Sequence, residues 1–141
     1  MSSKVRLFLL LSGLFIFFSW GFRLYVLTIR WETDPLRVWT ISFATLFVLI
    51  GLFLIRLAKL GPMANRRDYI QLICIAIFII LYWGYRLLKL ILYPDIDPNP
   101  RAHLHLSATF LVIGGFLLLI GWKGKRDKKR DKKLTEPIPL G

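Results

Sequence analysis

Four long runs without a single charged residue constrain this chain more than any other feature. Leu7 to Phe22, Val38 to Ile55, Tyr69 to Tyr85 and Ala102 to Trp122 contain no Asp, Glu, Lys or Arg. The hydrocarbon core of a bilayer, about 30 Å thick, is crossed by about 20 predominantly apolar helical residues. Segments 5–29, 38–57, 69–92 and 102–122 meet that length. In lipid each backbone N–H and C=O must bond within its own segment, so the runs read as helices. The strict period-two alternation of a barrel strand is absent. The expected fold is an all-α integral membrane protein with four transmembrane helices, and what remains of the 141 residues is too short and divided for a separate soluble domain.

The charges complete that reading. The chain is 56% hydrophobic yet carries 20 Lys and Arg against 8 Asp and Glu, a net charge of +12. A soluble domain averages about 45–50% apolar residues and mixes its charges along the chain. An ordinary globular core, a disordered tail protein and a simple nucleic-acid module are thereby excluded. Lys4 and Arg6, then Arg56, Lys59, Arg66 and Arg67, then eight basic residues from Lys123 to Lys133 lie on one side of the four spans. The intervening loops hold only Arg30, Arg37 and Arg101, with Glu32, Asp34, Asp95 and Asp97. The positive-inside rule therefore predicts cytoplasmic termini and a cytoplasmic central loop, in a plasma or inner membrane. Trp31, Trp39 and Tyr93 fall where an aromatic belt is expected at the opposite face. The N-terminal run lacks a small-x-small cleavage pattern before its polar loop, so it reads as a span rather than a signal peptide. Cys74, the single cysteine, has no partner for an internal disulfide.

Laying Val5 on Asp68 and continuing along the chain aligns 5–61 with 68–124 without a gap, and sixteen of the pairs are identical. Trp20-Gly21-Phe22-Arg23-Leu24 falls on Trp83-Gly84-Tyr85-Arg86-Leu87, and Asp34-Pro35 on Asp97-Pro98. Phe47, Ile50, Gly51 and Phe53 fall on Phe110, Ile113, Gly114 and Phe116. The pattern predicts a tandem duplication of a two-helix hairpin, with hairpins at 1–62 and 63–123 and a polybasic tail at 124–141. A unit that crosses twice returns to its starting side, so the copies are expected to be parallel, related by a pseudo-two-fold axis along the membrane normal. Ala44, Gly51 and Ala58 are seven apart, as are Ser107, Gly114 and Gly121. Small residues at that spacing form a stripe along which a neighbouring helix can approach closely.

Arg23 and Arg86 sit inside their helices, where a charge must snorkel or be paired. Asp34 and Asp97 follow them at one and the same interval and are the candidate partners, in a loop clamp stopped by Pro35 and Pro98. The functional alternative is an outer vestibule in which both arginines meet an anion. Asp95, Asp97, His103 and His105 contain metal-ligand side chains, but His at i and i+2 leave a helix on different sides, which weakens a metal or haem site. No Gly-rich phosphate loop, Ser-His-Asp set or acid within an uncharged run is present. The tail residues Lys125, Arg126, Lys128, Lys129, Arg130, Lys132 and Lys133 are expected to meet anionic lipid headgroups, with no nucleic-acid motif beside them. Thr135 to Gly141, with Pro137 and Pro139, are expected to run extended.

These features predict a non-enzymatic accessory or assembly subunit without a cofactor, packed against other membrane proteins or against itself. An oligomeric channel or carrier that selects an anionic solute through the paired arginines is the alternative, followed by an outer-face metal or cofactor-binding protein.

Overall fold

In a computed structural model the regular structure among the described residues is all helical, with four helices long and apolar enough to cross a membrane. The structure describes residues 2–29, 37–93, 95 and 100–135, with side chains over those stretches except at 37, 100 and 131–135. Helix α1 is Ser3–Ile29, α2 is Arg37–Leu60, α3 is Arg66–Leu92 and α4 is Pro100–Thr135. A one-turn 3-10 helix, Gly61–Met63, follows α2. The chain divides into two compact units, Met1–Ala64 and Asn65–Gly141, each a hairpin of two packed helices.

Within the first unit the buried positions of α1 are Leu9, Ser12, Gly13, Ile16 and Trp20, and α2 buries Ala44, Phe47, Ile50, Gly51, Leu54, Leu57 and Ala58. In the second, α3 buries Tyr69, Leu72, Ala76, Ile79 and Trp83 against Ser107, Phe110, Gly114, Leu117 and Gly121 of α4. Successive steps of three and four residues run through all four sets, which is the period of a left-handed two-helix seam. Glycine sets the approach of the backbones in the first hairpin. A Cβ on Gly13 would lie 2.9 Å from the carbonyl oxygen of Gly51, and one on Gly51 would lie 2.8 Å from the backbone nitrogen of Phe17.

Hydroxyls on the outward faces satisfy themselves. Thr28 donates to the Leu24 carbonyl, Ser42 to Val38, Thr45 to Ile41 and Thr109 to His105, each at 2.7 or 2.8 Å. This bond to the carbonyl four residues back lets a hydroxyl face lipid without an unmet donor.

The connection between the units has a local cause. Gly61 adopts φ of +53°, a left-handed conformation that side chains with a Cβ resist, and Pro62 follows it. The side chain of Arg6 lies against Gly61, and its Nε donates to the carbonyl of Ala58 at 3.0 Å. That bond supplies a partner for one of the carbonyls a helix leaves open at its C-terminus. Helix α3 then starts at Asn65, whose backbone N–H donates to the Asp68 carboxylate at 2.9 Å in a capping-box arrangement. Gly61→Ala should therefore cost about 1–2 kcal/mol through the left-handed φ alone. Denaturant unfolding in mild detergent would check it, and wild-type stability would mean that the turn relaxes to a right-handed conformation.

Helix α4 departs from the expected boundary at 122. It continues through Thr135, the last described residue, so the segment 124–135 is helix, Thr135 included, where an extended stretch was expected to begin. The alignment of the two halves shows why. Gly124 falls on Gly61, but Lys125 stands where Pro62 stops α2, and Lys and Arg are good helix formers. The remaining positions, 136–141, lie outside the described residues.

Candidate functional site

Each hairpin brings the same three side chains together. Trp20 of α1 lies flat on Phe47 of α2, ring centroids 4.5 Å apart and planes 9° from parallel. Trp83 of α3 lies on Phe110 of α4 at 4.3 Å and 11°. The guanidinium of Arg23 sits 5.3 Å from the centroid of the Trp20 ring, and that of Arg86 the same distance from the Trp83 ring. Each of the three residues in one hairpin aligns with its counterpart in the other. Local helix geometry produces half of the arrangement, because a residue three positions after a Trp stands one turn above it on the same face. Hairpin packing produces the other half by bringing the Phe flat against the ring.

The stack answers how a charge is kept within an apolar helix. The face of an indole carries negative quadrupole potential, and a guanidinium over it gains about 0.5–2 kcal/mol, more as water is withdrawn. The methylene stem covers apolar surface at the same time. Tyr82 meets Trp83 edge to face at 5.4 Å and 83°, so the second stack is enclosed on a further side. Lys89 lies 5.5 Å from the ring of Tyr85, and Lys125 lies 5.9 Å from that of Trp122. Cations laid over aromatic rings therefore recur near the ends of the apolar runs.

Among the expected charge pairs, Arg23 and Arg86 are in the stacks, whereas Asp34 and Asp97 lie outside the described residues. The six small residues are all buried in their hairpins: Ala44, Gly51 and Ala58 in α2, and Ser107, Gly114 and Gly121 in α4. Gly51 faces α1 backbone, while a Cβ on Gly114 or Gly121 would first meet the Cγ1 of Ile80 or Ile73. Ser107 replaces the Ala44 of the first hairpin and is 1% exposed; its hydroxyl has no hydrogen-bond partner among the described residues.

Among the described residues, those with metal-ligand side chains do not converge. His103 and His105 both belong to α4, where a separation of two positions turns them about 200° apart. Asp95 is exposed, and Asp97 lies outside the described residues. Among the described residues no three His, Cys, Asp or Glu side chains come close enough to hold one ion. Of the basic tail, Lys125 and Lys128 are partly covered, whereas Arg126, Lys129 and Arg130 are exposed; the side chains of Lys132 and Lys133 lie outside the description.

The sequence pattern sets Trp20 and Arg23 in one repeated run and Phe47 in another, and does not by itself join the two. A signal was present: the interval from Trp20 to Phe47 recurs from Trp83 to Phe110, and Arg stands three positions after Trp in both halves. Set against protein-family models, curated proteins and solved structures, the chain matches none.

Proposed function

We propose that this chain is a non-enzymatic integral membrane protein, an accessory or assembly subunit that packs against other membrane proteins. The observation that carries the reading is an exposed apolar seam along α1. Leu11, Phe15, Phe18, Phe22, Tyr25 and Ile29 follow one another in steps of four and three and are each more than 40% exposed. Lipid tails are indifferent to that period, whereas a second helix uses it to interlock side chains along its length. The aromatic content suits the seam to van der Waals packing, the main attraction between helices where no hydrophobic force drives association.

The Phe–Trp–Arg stacks support the same reading over the anion carrier, because both arginines are engaged by rings of their own hairpins. The equal register of the stacks, and of Leu9, Ile16 and Leu54 with Leu72, Ile79 and Leu117, supports a duplicated hairpin. In this proposal the copies are parallel about an axis along the membrane normal. Both termini and the Gly61–Met63 turn face the cytoplasm of a plasma or inner membrane, in line with the basic residues at those ends.

Site-specific photo-crosslinking in the native membrane tests the subunit role. A crosslinker at Phe18 or Phe22 should yield one discrete adduct with another membrane protein that survives mild-detergent purification at fixed stoichiometry, and one at the buried Ile16 should not. Lipid adducts alone would overturn the proposal. So would anion flux in proteoliposomes that falls at least tenfold in the Arg23→Gln/Arg86→Gln variant, which is the result the carrier requires.

A further inference from the structure

The helical course of α4 past its apolar run changes what its basic residues can do. At 3.6 residues per turn, Lys123, Arg126, Lys129 and Arg130 fall within about 120° of helix circumference. All four are exposed. Gly124 and Asp127 fall outside that arc, about 60° apart, and Gly124 packs directly against the ring of Tyr69 in α3. One side of the extension is thus committed to its own hairpin, with Asp127 between that side and the arc, while an uninterrupted basic stripe faces outward.

We infer that this stripe binds the phosphate and carboxylate groups of anionic phospholipids in the leaflet at the C-terminal end of α4. Two observations favour lipid over a soluble polyanion. Trp122, 62% exposed with Lys125 over its ring, closes the apolar run in the manner of an interfacial anchor, so the stripe begins where headgroups begin. The distances also match. A rise of about 1.5 Å per residue places Arg130 about 10 Å beyond Lys123. The headgroup layer is about 5–7 Å deep, and the Debye length adds about 8 Å at physiological ionic strength. For a helix that runs straight on from its apolar run, the four stripe residues lie inside the attractive zone, whereas Lys132 and Lys133, about 13–15 Å out, stand at its edge. Position along the helix, rather than the total number of basic residues, sets the attraction.

The inference rests on the membrane placement but not on the subunit role, so loss of the Phe18 crosslink would leave it standing. The test uses the full chain reconstituted in phosphatidylcholine vesicles that contain phosphatidylserine as the minor lipid. Spin-labelled phosphatidylserine or phosphatidylcholine reports which lipid occupies the protein surface. Wild type should favour phosphatidylserine at least threefold at low salt, and the preference should shrink at high ionic strength as the charges are screened. Lys123→Gln/Arg126→Gln/Lys129→Gln/Arg130→Gln should bring it close to one, and four Lys or Arg exchanges that keep the charge should preserve it. Lys132→Gln/Lys133→Gln should retain more than half of it. Equal affinity for both lipids in wild type would overturn the inference, as would equal losses from the distal pair and the stripe. Binding of a soluble RNA or acidic peptide without lipid preference would assign the stripe to that partner instead.

Discussion

Trp83→Ala is expected to lower the stability of the protein in mild detergent by about 2–4 kcal/mol, somewhat less than the cost of about 3–5 kcal/mol for removing a buried Trp or Phe side chain from a water-soluble core. Part of the latter sum is transfer from water, which is largely absent when the surroundings are lipid tails. Cavity formation and lost contacts remain. Trp83 is 1% exposed and contacts Phe110 face to face, Tyr82 edge to face and Arg86 through its guanidinium. Alanine abandons all three at once and leaves the Arg86 charge without the ring beneath it. Trp83→Phe should recover more than half of the loss, because a ring on Phe110 is retained. A double-mutant cycle with Arg86→Gln should return a coupling of about 0.5–2 kcal/mol for the cation over the ring. Denaturant titration monitored by circular dichroism reads these values. An unfolding midpoint for Trp83→Ala that coincides with that of wild type would mean that the stack holds nothing together.

Gly51→Ala should destabilise the first hairpin by about 1–3 kcal/mol, the usual range for forcing a methyl group into a packed contact. The obstacle is backbone on the facing helix: the new Cβ would stand 2.8 Å from the nitrogen of Phe17 and 2.9 Å from the oxygen of Gly13. Neither atom can rotate away, so the helices must separate along the seam. Gly114→Ala meets side-chain carbons instead, the Cγ1 of Ile80 at 2.9 Å and the Cγ2 of Ile79 at 3.2 Å, and rotamer changes absorb part of the clash. Gly21→Ala meets nothing within 4 Å and should be neutral or gain up to about 1 kcal/mol from helix propensity. The informative result is the order of the three, measured as unfolding midpoints in one detergent. Equal losses at Gly51 and Gly21 would show that the alanines act through the helices themselves rather than through contact between them.

Legibility differed between parts of the molecule for identifiable reasons. Helices α1 to α3 lie within a few residues of the expected segments, because an uncharged run of that length has few other stable forms and Gly61, Pro62 and Asn65 punctuate it. The continuation of α4 past Trp122 was not legible from hydropathy. A criterion based on apolar length stops at Trp122, whereas helix propensity continues through Lys and Arg until a breaker arrives, and Pro137 is the next one in the chain. The small-residue stripes could be read in α2 and α4, but their backbone consequence could not. Gly51 closes on Gly13 only because α1 presents its own glycine at that level.

The arginines show the same division most clearly. Sequence proximity pairs Arg23 and Arg86 with Asp34 and Asp97, which lie outside the described residues. The ring one turn below is an equally local partner, yet it becomes a firm platform only when Phe47 or Phe110 supports it from the other helix. What the chain determined by itself was the number of apolar helices, the position of their turns and the segregation of charge, because these follow from hydropathy, glycine and proline acting along one strand. What the tertiary structure decided was which face of each helix is used within its hairpin and which is left outward, because that depends on side chains distant in sequence meeting across the seam between the two helices.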